Sequence, residues 1–362
     1  MNRNFVVGSR FVKSALSFLS IAAAFLAIAP AIASPPFAVV LDGLQSPRGL
    51  TFGPGGRLYV SQAGNGGNSG KVTMIRYPWL AKPQVSDLVT GLPSYGEDPE
   101  NGFDGAAGVS AIGDGTLYLI FEAPIPPEPR HPPAGHLLKL SPGGQVRDVT
   151  NIEAVDYAWF AEHPELAFPA DHPDANPYGL LALSTAIYVV DSATNTLDLV
   201  RPNGSVQILA YFPDNVLADA TPTCVAQGPD GALYIGTLAL TDSLVFGPSA
   251  IVYRVDPNAA DPSDFDTVLD LATPWATGLW PINGCAFGAD GSFYASELIT
   301  SGDFSGGDVV KIPFATPGTH ISLTGNTLTF PAGVAVGPDA NVYVSNGTAF
   351  VPQGQVVRLT NH

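Results

Sequence analysis

The chain has 362 residues, with 15 Lys and Arg against 32 Asp and Glu, a formal net charge of −17. So acidic a surface repels nucleic acid and anionic membranes and attracts cations. Its 39 Gly and 34 Pro would suggest a low-complexity chain if scattered, but they recur at fixed places in a repeated phrase.

In chain order, Arg3, Arg10 and Lys13 precede an apolar run from Ala15 to Ala29, and Ala31-Ile32-Ala33 follows with a small-x-small pattern. This predicts a secretory signal peptide over 1–33, and a secreted or periplasmic protein with no membrane attachment after cleavage. No later stretch is apolar and long enough to span a bilayer.

FAVVLDGL (Phe37 to Leu44) comes next, then six copies of one phrase. The first is PRGLTFGPGGRLYVSQ (Pro47 to Gln62) and the fourth PTCVAQGPDGALYIGT (Pro222 to Thr237). Each is an apolar run, a tight turn of Gly-Pro-Asp-Gly type, and a second apolar run entered through Tyr59, Tyr118, Tyr188, Tyr234, Tyr294 or Tyr343. That is a β-hairpin. Further strand-like runs follow the hairpins, such as KVTMIRY (Lys71 to Tyr77) and AIVYRVD (Ala250 to Asp256). Six hairpins so extended predict an all-β fold, a six-bladed β-propeller over 34–362. The last repeat ends at GQVVRLT (Gly354 to Thr360), one strand short. FAVVLDGL is expected to supply the missing outer strand and close the ring.

Three insertions interrupt the repeats: acidic 91–105, proline-rich 122–135, and 157–177, which carries Asp171, His172, Asp174 and Asn176 and is expected to start as a short helix. His172 is a candidate general base, against the plainer reading of a solvated loop histidine. Cys224 and Cys285 fall one step out of register when the repeats are aligned. In a strand this turns them to opposite faces, so two buried thiols are expected rather than a bridge.

VVLDGLQSPRGLTFGPGGRLYVSQAG, the segment Asn176-Pro177-Tyr178-Gly179-Leu180-Leu181, INGCAFGADGSFYASEL and PAGVAVGPDANVYVSN together resemble the ScyD/ScyE family of exported propeller proteins. The resemblance covers the whole chain after the signal segment and implies a role around secondary-metabolite processing outside the cytoplasm. More distantly the repeats look like those of NHL-type, lactonase-type and virginiamycin-lyase-type propellers. The chain departs from the family pattern at Ala107 and Gly108 (a His-Asp pair in the family), at Thr237 and at Gln62 (Glu in both cases).

In a propeller the residue leading into each first strand and the residue leaving each second strand lie on one face, around the channel mouth. The leading residues are read as Arg48, Gly108, Tyr178, Thr223, Asn283 and Ala332, and the trailing ones as Gln62, Phe121, Asp191, Thr237, Glu297 and Asn346. Arg48, Asn176, Tyr178, Asp191 and Asn346 are the candidate ligand-binding residues. Asp191, Asn283 and Glu297 are the candidate ligands for Ca²⁺ or Mg²⁺, since carboxylate and amide oxygens suit a hard cation. The resemblance to lactonase-type propellers, which hold a catalytic metal on a comparable set, implies the same. Against this stands the alternative that polar groups at strand ends hydrogen-bond the neighbouring turns. No Gly-x-Ser-x-Gly, His-Glu-x-x-His or zinc-spaced Cys/His pattern occurs. The expected function is that of a monomeric accessory protein binding a small metabolite or a protein partner at the channel face. The alternatives are a metal-dependent lactonase- or lyase-like enzyme and a protein-interaction platform.

Overall fold

The computed structural model describes residues 35–96, 102–123, 133–166 and 174–360. The expected signal peptide, Asp171 and His172 lie outside the described residues, as do parts of the first two insertions.

Six four-stranded antiparallel sheets form the blades. In the sixth, Phe37–Leu44 pairs with Gly354–Leu359, Phe37 opposite Leu359 and Leu44 opposite Gly354. The strand before the first hairpin therefore completes the last blade, as the sequence indicates, and leaves no blade short of a strand. Among the described residues no helix is long and apolar enough to cross a membrane.

The repeated phrase has a physical logic. The turn aspartate accepts a hydrogen bond from the hydroxyl of the tyrosine four residues on: Tyr234 to Asp230 (3.2 Å), Tyr294 to Asp290 (3.0 Å) and Tyr343 to Asp339 (2.9 Å). The first glycine of the turn makes room for that ring. A Cβ on Gly228, Gly288 or Gly337 would come within 2.3, 2.8 or 2.9 Å of it.

A second glycine sets the blade spacing. On Gly49, Gly108, Gly179, Gly284 and Gly333 a Cβ would stand 2.3–2.8 Å from a backbone carbonyl oxygen of the next blade's first strand. Hydroxyls stitch the same seams. Ser61 donates to the Ala107 carbonyl, Ser296 to that of Ala332 (2.5 Å) and Ser345 to that of Arg48 (2.6 Å). The apolar core lies between the blades. One cluster joins Leu58 and Val60 of blade one to Tyr343 and Val356 of blade six, and each fully buried Leu or Val there contributes roughly 1.5–3 kcal/mol.

At the seam between blades four and five the glycine is replaced by Cys224, and it is bonded to Cys285 (Cα–Cα 5.8 Å). This corrects the expectation of two separate thiols. The register argument was sound for one sheet: Val225, the residue aligned with Cys285, packs against Tyr188 on the blade-three side, while Cys224 packs with Phe293 and Ile282 of blade five. But facing surfaces of consecutive blades are opposite faces of their sheets. Opposite parity on neighbouring blades therefore points both thiols into one seam.

The helix of the third insertion, α1 (Ile152–Glu162), begins ahead of the expected position because the Asn151 side chain caps it, accepting the Ala154 N–H at 3.1 Å. It buries Ile152, Asp156 and Phe160, one stripe at four-residue spacing.

Candidate functional site: the two mouths of the channel

The six first strands line the channel. Register with the seam glycines makes Ala107, not Gly108, the counterpart of Arg48 in blade two, because Gly108 itself occupies the glycine position. The large polar leading side chains come from alternate blades: Arg48 of one, Tyr178 of three and Asn283 of five. The Tyr178 hydroxyl donates to Asn283 Oδ1 at 2.9 Å, across the lumen. Arg48 Nη2 donates to the Phe103 carbonyl at 2.8 Å and stands 3.8 Å from Glu122 Oε1. These groups plug the loop-side mouth, and the space among them is about 60 Å³. That is room for a few waters but not for an organic metabolite.

Burial dominates the ionisation of this plug. It pushes Glu122 up to about 7, against the pull of Arg48 and of the Gly105 N–H, which donates to Glu122 Oε2 at 3.0 Å. Burial likewise raises Tyr178 to about 12, with Arg48 opposing. At neutral pH the plug therefore holds one fixed cation, one phenol and one carboxyl group near its titration point.

The trailing residues do a different job. Gln62, Glu297 and Asn346, and Glu122 just after the trailing Phe121, each accept a hydrogen bond from the backbone N–H seventeen residues earlier: Gln45 (2.8 Å), Trp280 (2.9 Å), Thr329 (2.7 Å) and Gly105 (3.0 Å) respectively. Each is a buckle that ties the loop entering a blade to the end of its second strand. In blade three the buckle is Asp191, whose Oδ1 accepts from Asn176 (2.8 Å), Ala193 (2.9 Å) and Thr194 (3.0 Å). Burial pushes Glu297 up to about 7, the Trp280 N–H opposing.

The structure thus brings Arg48, Tyr178 and Asn283 together at the plug, and Asn176 with Asp191 at one buckle; Asn176 Oδ1 also accepts from the Ala123 N–H at 3.0 Å. It leaves Asn346 and Glu297 each at its own buckle. Among the described residues no hydrogen bond joins Asp191, Asn283 and Glu297, and neither carboxylate lines the channel space that Asn283 borders. Asp191 and Glu297 are held at separate buckles and Asn283 at the plug, and among the described residues no group of three or more His, Cys, Asp and Glu is placed to hold a metal ion. Sequence reasoning left out Glu122 as a partner of Arg48, and also Asp104, Asp156 and Asp198. Glu122 had one signal, its place directly after the trailing position of blade two.

The channel widens at the turn-side mouth. There the space is about 320 Å³, with walls of Leu50, Phe52, Leu181, Ala226 and Phe287 interrupted by Thr51, Ser110 and Gln227. This is the size of a small-molecule pocket, although the surface it presents is more polar than apolar.

No protein-family profile matches the sequence, and no curated protein does. Solved structures do resemble the fold. Virginiamycin B lyase from Staphylococcus aureus superposes with a TM-score of 0.51 at 14% identity, covering 90% of this chain and 100% of the other. A calcium-binding regucalcin from Agrobacterium tumefaciens gives 0.54 at 14%, with coverage of 90% and 94%. A gluconolactonase from Xanthomonas campestris gives 0.55 at 12%, with coverage of 90% and 89%. The chain shares with them the six-bladed β-propeller architecture.

Proposed function

We propose that this chain is an exported binding or accessory propeller of ScyD/ScyE type that takes a small molecule carrying both polar and apolar groups at the turn-side mouth of its channel. The observation that carries the reading is the asymmetry of the channel, about 320 Å³ with walls of mixed polar and apolar character at one end and about 60 Å³ behind a polar plug at the other. The family resemblance supports the assignment to secondary-metabolite handling, and the Cys224–Cys285 bridge is consistent with an extracytoplasmic location. The lactonase- or lyase-like alternative has the named neighbours behind it, but Asp191 Oδ1 and Glu297 Oε1 are engaged at the buckles and Asn283 Oδ1 at the plug.

The test is titration with a neutral fluorophore such as Nile red. Saturable binding is expected, weakened at least about tenfold, roughly 1.4 kcal/mol, by Thr51→Trp, which fills the funnel, and unchanged by Tyr178→Phe at the plug. An affinity indifferent to Thr51→Trp would sink the assignment.

A further inference from the structure

The most anomalous group in the molecule lies away from the channel, where α1 covers the seam between blades two and three. Asp191 ends the second strand of blade three, Ile187–Asp191, and Asp198 lies on the third, Thr196–Val200. Val189 is opposite Asp198 and Asp191 opposite Thr196 in the ladder. Asp191 and Asp198 are therefore diagonal neighbours on one face. Val189, on that face, packs with Ile120 of blade two and Ile152 of α1. Asp156 comes down from the helix into the same seam, the polar member of its buried stripe. All three residues are 0% exposed.

Among the described residues, five of the six carboxylate oxygens have no hydrogen-bond partner: both of Asp156, both of Asp198, and Oδ2 of Asp191. The sixth, Asp191 Oδ1, is held by three backbone N–H groups, which aims its partner oxygen inward. Burial raises both Asp156 and Asp198, and the charges that add to it are those of Asp198 and Asp191 on Asp156 and that of Asp191 on Asp198. Three buried negative charges without a counter-charge are untenable, since each costs several kcal/mol of lost hydration before any repulsion. Something must neutralise them. Amide side chains could satisfy one another without charge; the sequence places acids here instead. Protons alone would have to be held on two of three aspartates at neutral pH. A divalent cation offsets two of the three charges without that requirement. A dry, oxygen-only set favours Ca²⁺, which accepts irregular geometry and sheds water more readily than Mg²⁺.

We propose that Asp156, Asp191 and Asp198 form a structural Ca²⁺ site that pins α1 to blade three. As they stand the three carboxylates are not placed to hold an ion, and side-chain rotation has to bring them onto it. Asp191 is the fixed ligand, while Asp156 and Asp198, bound to nothing, are free to turn onto the ion. The site is separate from the channel and stands independently of the ligand-binding reading above.

The experiment uses the purified chain, exchanged into EGTA or into millimolar Ca²⁺. In calcium, elemental analysis of the desalted protein should find about one bound ion per chain. The melting temperature should rise by several degrees over the chelated sample. Asp156→Asn and Asp198→Asn should each abolish the bound ion and the calcium-dependent rise. In EGTA each should be at least as stable as the parent, because a buried charge has been removed. The proposal is overturned if the parent binds no ion and melts identically in both conditions. It is equally overturned if the calcium response survives both substitutions, which would place the ion on the acidic surface. Should neither variant fold, the measurements on the parent chain alone decide.

Discussion

Two buried acidic centres sit on the loop side of this propeller, and they are solved differently. At the plug, Glu122 has a guanidinium 3.8 Å away and a backbone N–H on its other oxygen. In the seam under α1, Asp156 and Asp198 have neither. Each centre includes a carboxylate at or just past the end of a second strand, Glu122 in blade two and Asp191 in blade three. What differs is whether another blade supplies a positive charge. Arg48 reaches Glu122 because blades one and two are neighbours; the seam between blades two and three receives a helix whose contribution is a third acid. A buried carboxylate is thus a demand for a counter-charge, and the contrast shows one demand met within the chain and one that calls for a ligand.

The strongest way to break the contrast is to make the plug resemble the seam. Arg48→Leu strands Glu122, and at pH 8 denaturant unfolding should show a loss of about 3–5 kcal/mol. At pH 5, where Glu122 is protonated in the fold, the loss should be clearly smaller; equal losses at the two pH values would show that Arg48 acts through packing alone. Reduction of Cys224–Cys285, which spans 61 residues, serves as the comparison. It should cost a similar amount, about 4 kcal/mol from loop closure, but without dependence on pH between 5 and 8.

A third measurement follows the carboxyl groups of the unmodified chain. Glu122, facing Arg48, Asp104 and the Gly105 N–H, and Glu297, facing the Trp280 N–H and Asp308, both titrate near 7 in the fold against 4.5 as the ordinary value. Between those values the folded chain holds protons that the unfolded chain has released. Their contribution is therefore complete below about pH 4.5, falls as pH rises, and is gone above about 7, up to about 3 kcal/mol for each group. Glu122→Gln should remove its share of this slope, and a slope unchanged by that substitution would contradict the burial account. The smallest effect is that of Tyr178→Phe. It deletes the bond across the lumen to Asn283, and thermal or chemical unfolding should register a loss of about 1 kcal/mol.

Much of this was legible in the chain. The Gly-Pro-Asp-Gly turns, the tyrosine four residues after each turn aspartate, and a last repeat lacking its outer strand are local signals, and local backbone chemistry reads them. The strand count and the ring closure follow. The candidate residues were also found where the repeat puts them, at strand ends, but their partners were not legible. That Tyr178 would spend its hydroxyl on Asn283, 105 residues away, depends on the diameter of the ring. The seam glycines set that diameter by letting backbones approach.

The cysteines show the same boundary from the other side. Their parity along the strand was read correctly, and the conclusion failed because a bond between blades depends on which faces meet, a property of the closed ring. The hairpins, the blade number and the closing strand were determined by the sequence itself, because each needs only short-range turn geometry and period-two alternation. The polar plug, the Cys224–Cys285 bridge and the gathering of Asp156 with Asp191 and Asp198 were decided only by tertiary structure. Charges and thiols far apart in the chain acquire partners, or go without them, only when the ring brings one sheet's face against the next.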